Sequence, residues 1–152
     1  MRRFDLRSLH FDEKDEAWRQ LPVEVDAFVI GGAEFGVRDG AVDLDLEVAR
    51  VGDRLTLTGL FGTVLQGPCQ RCLEPAAVAL EARGTDVALH GESEGDDEEE
   101  WYVRNHYLQA DHWVRDLIGA ALPAKILCRE DCRGLCPVCG VNLNEEPHHE
   151  HG

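Results

Sequence analysis

Val42-Asp43-Leu44-Asp45-Leu46-Glu47-Val48 alternates apolar and acidic side chains at every step. Successive side chains of a strand point to opposite faces, so this stretch predicts a strand with one dry face and one wet face. Upstream, Leu21 leads into Val23, Val25, Ala27 and Val29, set against Glu24 and Asp26, until Gly31-Gly32 interrupts the pattern. Asp39-Gly40 carries a hairpin signal between these two segments. Downstream, Gly52-Asp53 marks a turn, and Leu55, Leu57 and the run from Gly59 to Leu65 bring the chain back as a further strand. Period two sustained over three segments predicts an antiparallel sheet that is wet on one side.

The flanks extend this body. Phe4 to Leu9 reads as a short strand with Phe4, Leu6 and Leu9 as its apolar face, and the charged stretch Asp12 to Gln20 reads as a turn or a single helical turn around Trp18. After the central strand comes Cys69-Gln-Arg-Cys72, and Pro75 restarts the chain. Val78, Leu80, Ala82, Val87 and Leu89 suggest another strand, bent at Gly84. Trp101 to Tyr107 suggests an edge strand. Asp111 to Leu122 is the one good helix: Asp111 is placed to cap it, Trp113, Leu117 and Ala121 recur at four-residue steps beside Val114, Ile118 and Leu122, and Pro123 ends it. Gly119 weakens that helix by up to about 1 kcal/mol relative to alanine, so packing must hold it.

The expected class is α+β: a mainly antiparallel β-sheet body, one packed helix and a C-terminal zinc-binding tail. With 152 residues a single domain is expected over 1–152. Its parts are a β-rich body with the first cysteine pair (1–91), an acidic loop (92–100), a strand and helix (101–127) and a Cys/His tail (128–152).

The net charge is −15, and removing the seven acids between Glu92 and Glu100 still leaves −8. Binding to a nucleic-acid backbone draws on lysine and arginine, so extensive direct RNA binding is disfavoured and a basic protein partner suits the field better. The apolar runs are far short of the ~20 residues that span a bilayer, and no secretory signal follows Met1-Arg-Arg-Phe-Asp-Leu-Arg, so a cytoplasmic protein is expected. In a reducing compartment paired cysteines hold metal more readily than they form disulfides.

All six cysteines lie in two places, Cys69 and Cys72, then Cys128, Cys132, Cys136 and Cys139. Two or three residues between paired cysteines let the chain fold back so that both sulfurs reach one ion at about 2.3 Å. Cys136-Pro-Val-Cys139-Gly140 is the sharpest copy, because glycine after the second cysteine permits a positive φ. Six cysteines with His149 and His151 make eight ligands, enough for two tetrahedral zinc ions. One arrangement joins Cys69 and Cys72 to Cys128 and Cys132, and Cys136 and Cys139 to His149 and His151, with His148 spare. A rival joins Cys69 and Cys72 to Cys136 and Cys139, and spacing alone does not choose. A four-thiolate site carries a surplus of two negative charges, which Arg71, Arg129 and Arg133 are placed to offset. Such a set closes fully around the ion, the mark of structural and not catalytic zinc. No nucleophile–base pairing or phosphate-binding glycine loop accompanies it, and His10, His90, His106 and His112 stand apart as surface or packing residues. No small-molecule substrate is indicated. The competing function is a thiol–disulfide or zinc-sensing switch using Cys69 and Cys72.

Cys69-Gln-Arg-Cys72-Leu-Glu-Pro75, Leu122-Pro123 and Cys128-Arg-Glu-Asp-Cys132-Arg-Gly-Leu-Cys136-Pro-Val-Cys139-Gly-Val-Asn142-Leu-Asn144 resemble the bacterial YceD family, the large ribosomal RNA subunit accumulation proteins. The resemblance implies a non-catalytic cytoplasmic factor of ribosome biogenesis, needed for large-subunit rRNA accumulation, that meets a ribosomal protein or a pre-ribosomal particle. Many members place Cys-x-Cys where this chain has His149-Glu-His151, an exchange of ligands that supports a second zinc site.

Overall fold

The computed structural model describes residues 1–89 and 102–149. The acidic segment 92–100, Trp101 and His151 lie outside the described residues. The described residues build nine strands and one α-helix. They are β1 (Phe4–Asp5), β2 (Glu16–Glu24), β3 (Phe28–Ile30), β4 (Ala33–Val37), β5 (Ala41–Val51), β6 (Arg54–Pro68), β7 (Pro75–Leu89), β8 (Val103–Arg104), β9 (Tyr107–Leu108) and α1 (Ala110–Ala121). Every strand pairing is antiparallel.

β6 is the spine. β7 runs along its full length from Arg54↔Leu89 to Pro68↔Pro75. On its other edge β5 pairs with Arg54–Leu60, and β4 pairs with Leu65 and Gln66. β2 extends the sheet beyond β5, and β3 extends it beyond β4. A second small sheet, β1-β9-β8, lies beside it.

The dry face matches the alternation that defines β5: Val42, Leu44, Leu46 and Val48 are buried, as are Leu21, Val23 and Val25 of the β2 segment and Leu55, Leu57, Phe61 and Leu65 of β6. Against this face lies α1, with Trp113, Val114 and Ile118 buried. Gly59 and Gly84 are cross-strand partners beneath the helix. A Cβ on Gly59 would stand 2.9 Å from the Trp113 ring, and one on Gly84 would stand 2.4 Å from Leu117 Cδ2. The bare backbone of this glycine pair is the floor on which the helix rests.

Several local expectations are corrected. Glu16 to Gln20 is strand and not a helical turn, and Trp18 projects from its wet side, 60% exposed. The alternation from Leu21 breaks at Asp26-Ala27, so Phe28 is buried and Val29 faces solvent. Asp39 (φ 63) and Gly40 (φ 70) do turn the chain, but the strands they join do not pair, because β4 lies against β6. In β7 the buried positions Ala82 and Ala88 share one parity through Gly84, which leaves Val87 outside. Tyr107 belongs to a β8–β9 hairpin and not to one continuous edge strand. Only Phe4–Asp5 of the first segment is strand; Leu6–Ser8 is a 3₁₀ turn, although Phe4, Leu6 and Leu9 are buried as expected. α1 begins one residue before Asp111, whose carboxylate accepts from the His112 amide inside the first turn instead of capping the helix.

Candidate metal centre

The β6–β7 hairpin ends in a tight turn that carries the first cysteine pair. Inside it the Cys69 amide donates to the Glu74 carbonyl at 2.7 Å, and the Leu73 amide donates to the Cys69 carbonyl at 3.0 Å. The tail repeats this pattern: the Cys136 amide donates to the Val141 carbonyl at 2.8 Å and the Gly140 amide to the Cys136 carbonyl at 2.9 Å. In both turns the residue after the second cysteine has a positive φ, 77° at Gly140 and 67° at Leu73. Glycine takes that conformation freely, whereas leucine holds it only because the surrounding turn imposes it. Two copies of one cysteine-bearing turn thus occur, one built on the sheet and one on the tail.

The structure brings the first copy to the start of the tail. From the end of α1 the chain runs back along the hairpin tip, where Ile126 is buried and exchanges two hydrogen bonds with Gln70. Cys128 and Cys132 follow at once. Cys72 Sγ lies 3.6 Å from Cys128 Sγ, and Cys69 Sγ lies 3.6 Å from Cys132 Sγ. All four sulfurs fall within 4.8 Å of one another, a group that could hold a metal ion. Sulfurs at about 2.3 Å from a tetrahedral ion stand about 3.8 Å apart, so the donor set fits zinc in chemistry and in span. A second group comprises Cys136, Cys139 and His149, with Cys139 Sγ 3.1 Å from His149 Nε2. His148 is exposed and outside it.

The surroundings favour thiolate at Cys69 and Cys132, whereas burial and the neighbouring sulfurs push the Cys128 thiol up to about 12 and the Cys72 thiol also lies above its ordinary value. Burial raises the Cys69 thiol, but the amides of Cys72, Arg71 and Cys128 turned toward it outweigh that and bring it down to about 6. Asn144 donates Nδ2–H to Cys132 Sγ at 3.3 Å, which lowers the Cys132 thiol. Asn144 also accepts from the Arg133 amide at 2.9 Å, and its own amide donates to Asn142 Oδ1 at 2.9 Å. The Asn142–Asn144 turn therefore connects the second group to a sulfur of the first. Of the three arginines expected around the thiolates, Arg71 donates Nη1–H to the Cys132 carbonyl at 2.9 Å. Arg129 turns instead to Asp131 at 3.4 Å, and Arg133 contributes its backbone amide. Gly134 (φ +78) passes so close to Arg71 that a Cβ there would lie 3.1 Å from the Arg71 carbonyl oxygen.

Sequence reading attached no role to Gln70 or Asn144. Gln70 sits between the paired cysteines, where a side chain is well placed to reach whatever docks on the turn. Asn144 stands in the Asn-Leu-Asn turn after the last cysteine, and that position was its only signal.

A long β-hairpin whose tip meets a tail through clustered cysteines that could hold a metal ion defines, among the described residues, a cysteine-clustered β-protein with one supporting helix. This chain belongs to the YceD family: the description "Large ribosomal RNA subunit accumulation protein YceD" matches residues 57–152, which include both cysteine segments, α1 and β7. It is similar to an uncharacterized protein of Mycobacterium tuberculosis, 34% identical over 127 residues that cover 80% of this chain and 61% of that protein. It is also similar to "Large ribosomal RNA subunit accumulation protein YCED homolog 1, chloroplastic" of Zea mays, 27% identical over 154 residues that cover 74% of this chain and 53% of that one. The Arabidopsis thaliana protein of the same name is 25% identical over 134 residues, with 68% of this chain and 42% of the relative covered. The chain thus spans between two fifths and three fifths of the length of these relatives. No solved structure matches it. Among the described residues no helix is long and apolar enough to cross a membrane.

Proposed function

We propose that this chain is a non-catalytic, zinc-stabilised cytoplasmic factor that supports large-subunit rRNA accumulation by binding a basic ribosomal protein or a pre-ribosomal particle. One observation carries the non-catalytic part: Cys69, Cys72, Cys128 and Cys132 gather four sulfurs within 4.8 Å, which fills a tetrahedral ion and leaves no position for substrate. Zinc bound there ties the sheet to the tail. Cys136, Cys139 and His149, with His151 as fourth ligand, hold a second ion, and residues 1–152 act as one unit. The family's printed description supports the process, and the net charge of −15 supports a basic protein in preference to naked RNA. No small-molecule substrate and no membrane enter this reading.

Gradient fractionation of lysate tests it. The protein is expected to co-migrate with large-subunit precursors, and a deletion strain to lose mature large-subunit rRNA. Free migration together with unchanged rRNA would refute the role.

A second reading, a thiol–disulfide or zinc-sensing switch using Cys69 and Cys72, takes support from the Cys69 thiol near 6. It places the reactive chemistry within one turn, whereas the short sulfur contacts run between the two segments. Thiol titration separates the two. Unreactive cysteines with stoichiometric zinc favour the structural clasp, and rapid reversible oxidation of metal-free protein favours the switch.

A further inference from the structure

The wet face of the sheet, opposite α1, carries features that the metal clasp does not explain. Trp18, Glu47, Thr58 and Thr85 stand in one cross-strand row; Glu16, Ala49, Thr56 and Val87 form the next, and Gln20, Asp45, Leu60 and Arg83 the one after. Trp18, Leu60 and Val87 are large apolar side chains exposed on it. A groove of about 420 Å³ lies alongside Trp18, with Asp12, Glu16 and Glu47 on its walls and Thr56 and Thr58 beneath. Glu16 and Glu47 have no ion-pair partner among the described residues.

The rest of the molecule supplies the comparison. Arg50 covers Phe11 at 4.3 Å, Arg115 covers Phe28 at 4.2 Å, Arg19 covers Phe4 at 5.4 Å, and Arg3 and Arg7 flank Tyr107. The chain caps each of these rings with its own guanidinium. Trp18 offers the strongest π-face of any side chain, yet no cation of the described residues stands over it. A tryptophan left bare beside unpaired carboxylates is complementary to a cation supplied from outside. Aromatic anchors inside a polar rim are also how protein interfaces concentrate their energy.

We propose that this face binds an extended basic segment of a protein partner, one arginine or lysine covering Trp18 while neighbouring cations meet Glu16 and Glu47. The proposal rests on the reading that the partner is a basic protein, and deepens it by naming the surface. Nucleic acid is the poorer occupant, because its phosphates would face the same carboxylates.

The test uses the zinc-loaded full chain and an alternating arginine–glycine decapeptide, followed by NMR of the tryptophan indole N–H signals; the chain has three, from Trp18, Trp101 and Trp113. The Trp18 signal is expected to shift saturably while that of buried Trp113 stays in place. Trp18→Ala and Glu47→Lys should each weaken binding about tenfold or more. Glu34→Lys, the same charge change on exposed β4, should weaken it less than about twofold. Both altered side chains of the groove are solvent-exposed, and unchanged zinc content and melting temperature establish that the variants are folded.

Equal loss in Glu34→Lys and Glu47→Lys would reduce the effect to net charge and overturn the proposal. So would an RNA decanucleotide that moves Trp18 when the peptide does not. A Trp18 signal that shifts with protein concentration alone would assign the face to a second copy of this chain and overturn it as well. The ribosomal role fails separately: unchanged rRNA in the deletion strain removes that role, while saturable, Trp18-dependent peptide binding keeps the surface.

Discussion

Gln70 and Ile126 are joined twice: the Gln70 amide donates to the Ile126 carbonyl at 2.9 Å, and the Ile126 amide donates to the Gln70 side-chain Oε1 at 2.8 Å. The first bond needs only backbone, and the second needs this side chain. Together they set where the tail crosses the hairpin tip, two residues before Cys128.

Gln70→Ala leaves the partly buried Ile126 amide without its acceptor, which costs about 1–3 kcal/mol. Supporting hydrogen bonds around metal ligands typically change affinity 10–100-fold, so zinc affinity measured by chelator competition should fall by about tenfold. Gln70→Glu keeps an acceptor oxygen and should lose much less. Equal loss in both variants would mean that the amide bond does not hold the tail.

Removal of metal should be resolved site by site. Zinc content of wild type is expected at two ions per chain, falling to one in Cys69→Ser and to one in Cys136→Ser. The Cys69 variant should lose far more thermal stability, because its site joins sheet to tail while the other closes within the tail. One ion in wild type, retained in Cys136→Ser, would remove the histidine-containing site.

The glycines beneath and within α1 should respond in opposite directions. Gly59→Val drives a branched side chain into the Trp113 ring and Leu44, an overpacking that costs about 1–3 kcal/mol. Gly119 has open space where its Cβ would be and an ordinary helical backbone, so Gly119→Ala should gain up to about 1 kcal/mol. For a chain of this size each kcal/mol moves the melting temperature by roughly 2–4 °C, within reach of calorimetry.

Asp86 supplies a pH signature. Burial is the main cause of its raised carboxyl pKa, with the Val87 amide opposing it in part. An acid whose folded pKa is raised favours the fold while protonated, and its contribution declines as pH climbs through the ordinary carboxylate range toward the raised value. Asp86→Asn should therefore raise the melting temperature at neutral pH, and that gain should vanish below about pH 3.9. A gain that persists undiminished in acid would assign the effect to packing instead of ionisation.

The sheet was legible wherever burial alternated strictly. Val42 to Val48 declares its inner face because every second residue is acidic, and the structure buries that face. Val29 shows the limit: an apolar side chain in phase with Val23 and Val25 ends in solvent because the strand breaks at Asp26-Ala27, and no pattern marks a break of one residue. Asp12 to Gln20 misled for the opposite reason: its charges hide any alternation, so it read as a turn, while Glu16 to Gln20 is strand and presents Trp18 outward. Asp39-Gly40 was legible as a turn but not as a connection between unpaired strands, because the pairing of β4 with β6 depends on contacts made far along the chain. The cysteines announced themselves by spacing. Which pairs meet, and what Gln70 and Asn144 do there, follows from the path of the chain after α1, and local sequence does not encode that path.

The exact register of the β6–β7 hairpin has a consequence in time. Its pairing is local and completes once Leu89 has been made, whereas Cys72 waits 56 positions for Cys128 and Cys69 waits 63 for Cys132. Contacts within a hairpin form long before contacts across such separations. On a growing chain, two thiols stand ready at the hairpin tip while their counterparts have yet to be synthesised. An ion shared by all four sulfurs would then be taken up late, only after synthesis has passed Cys132.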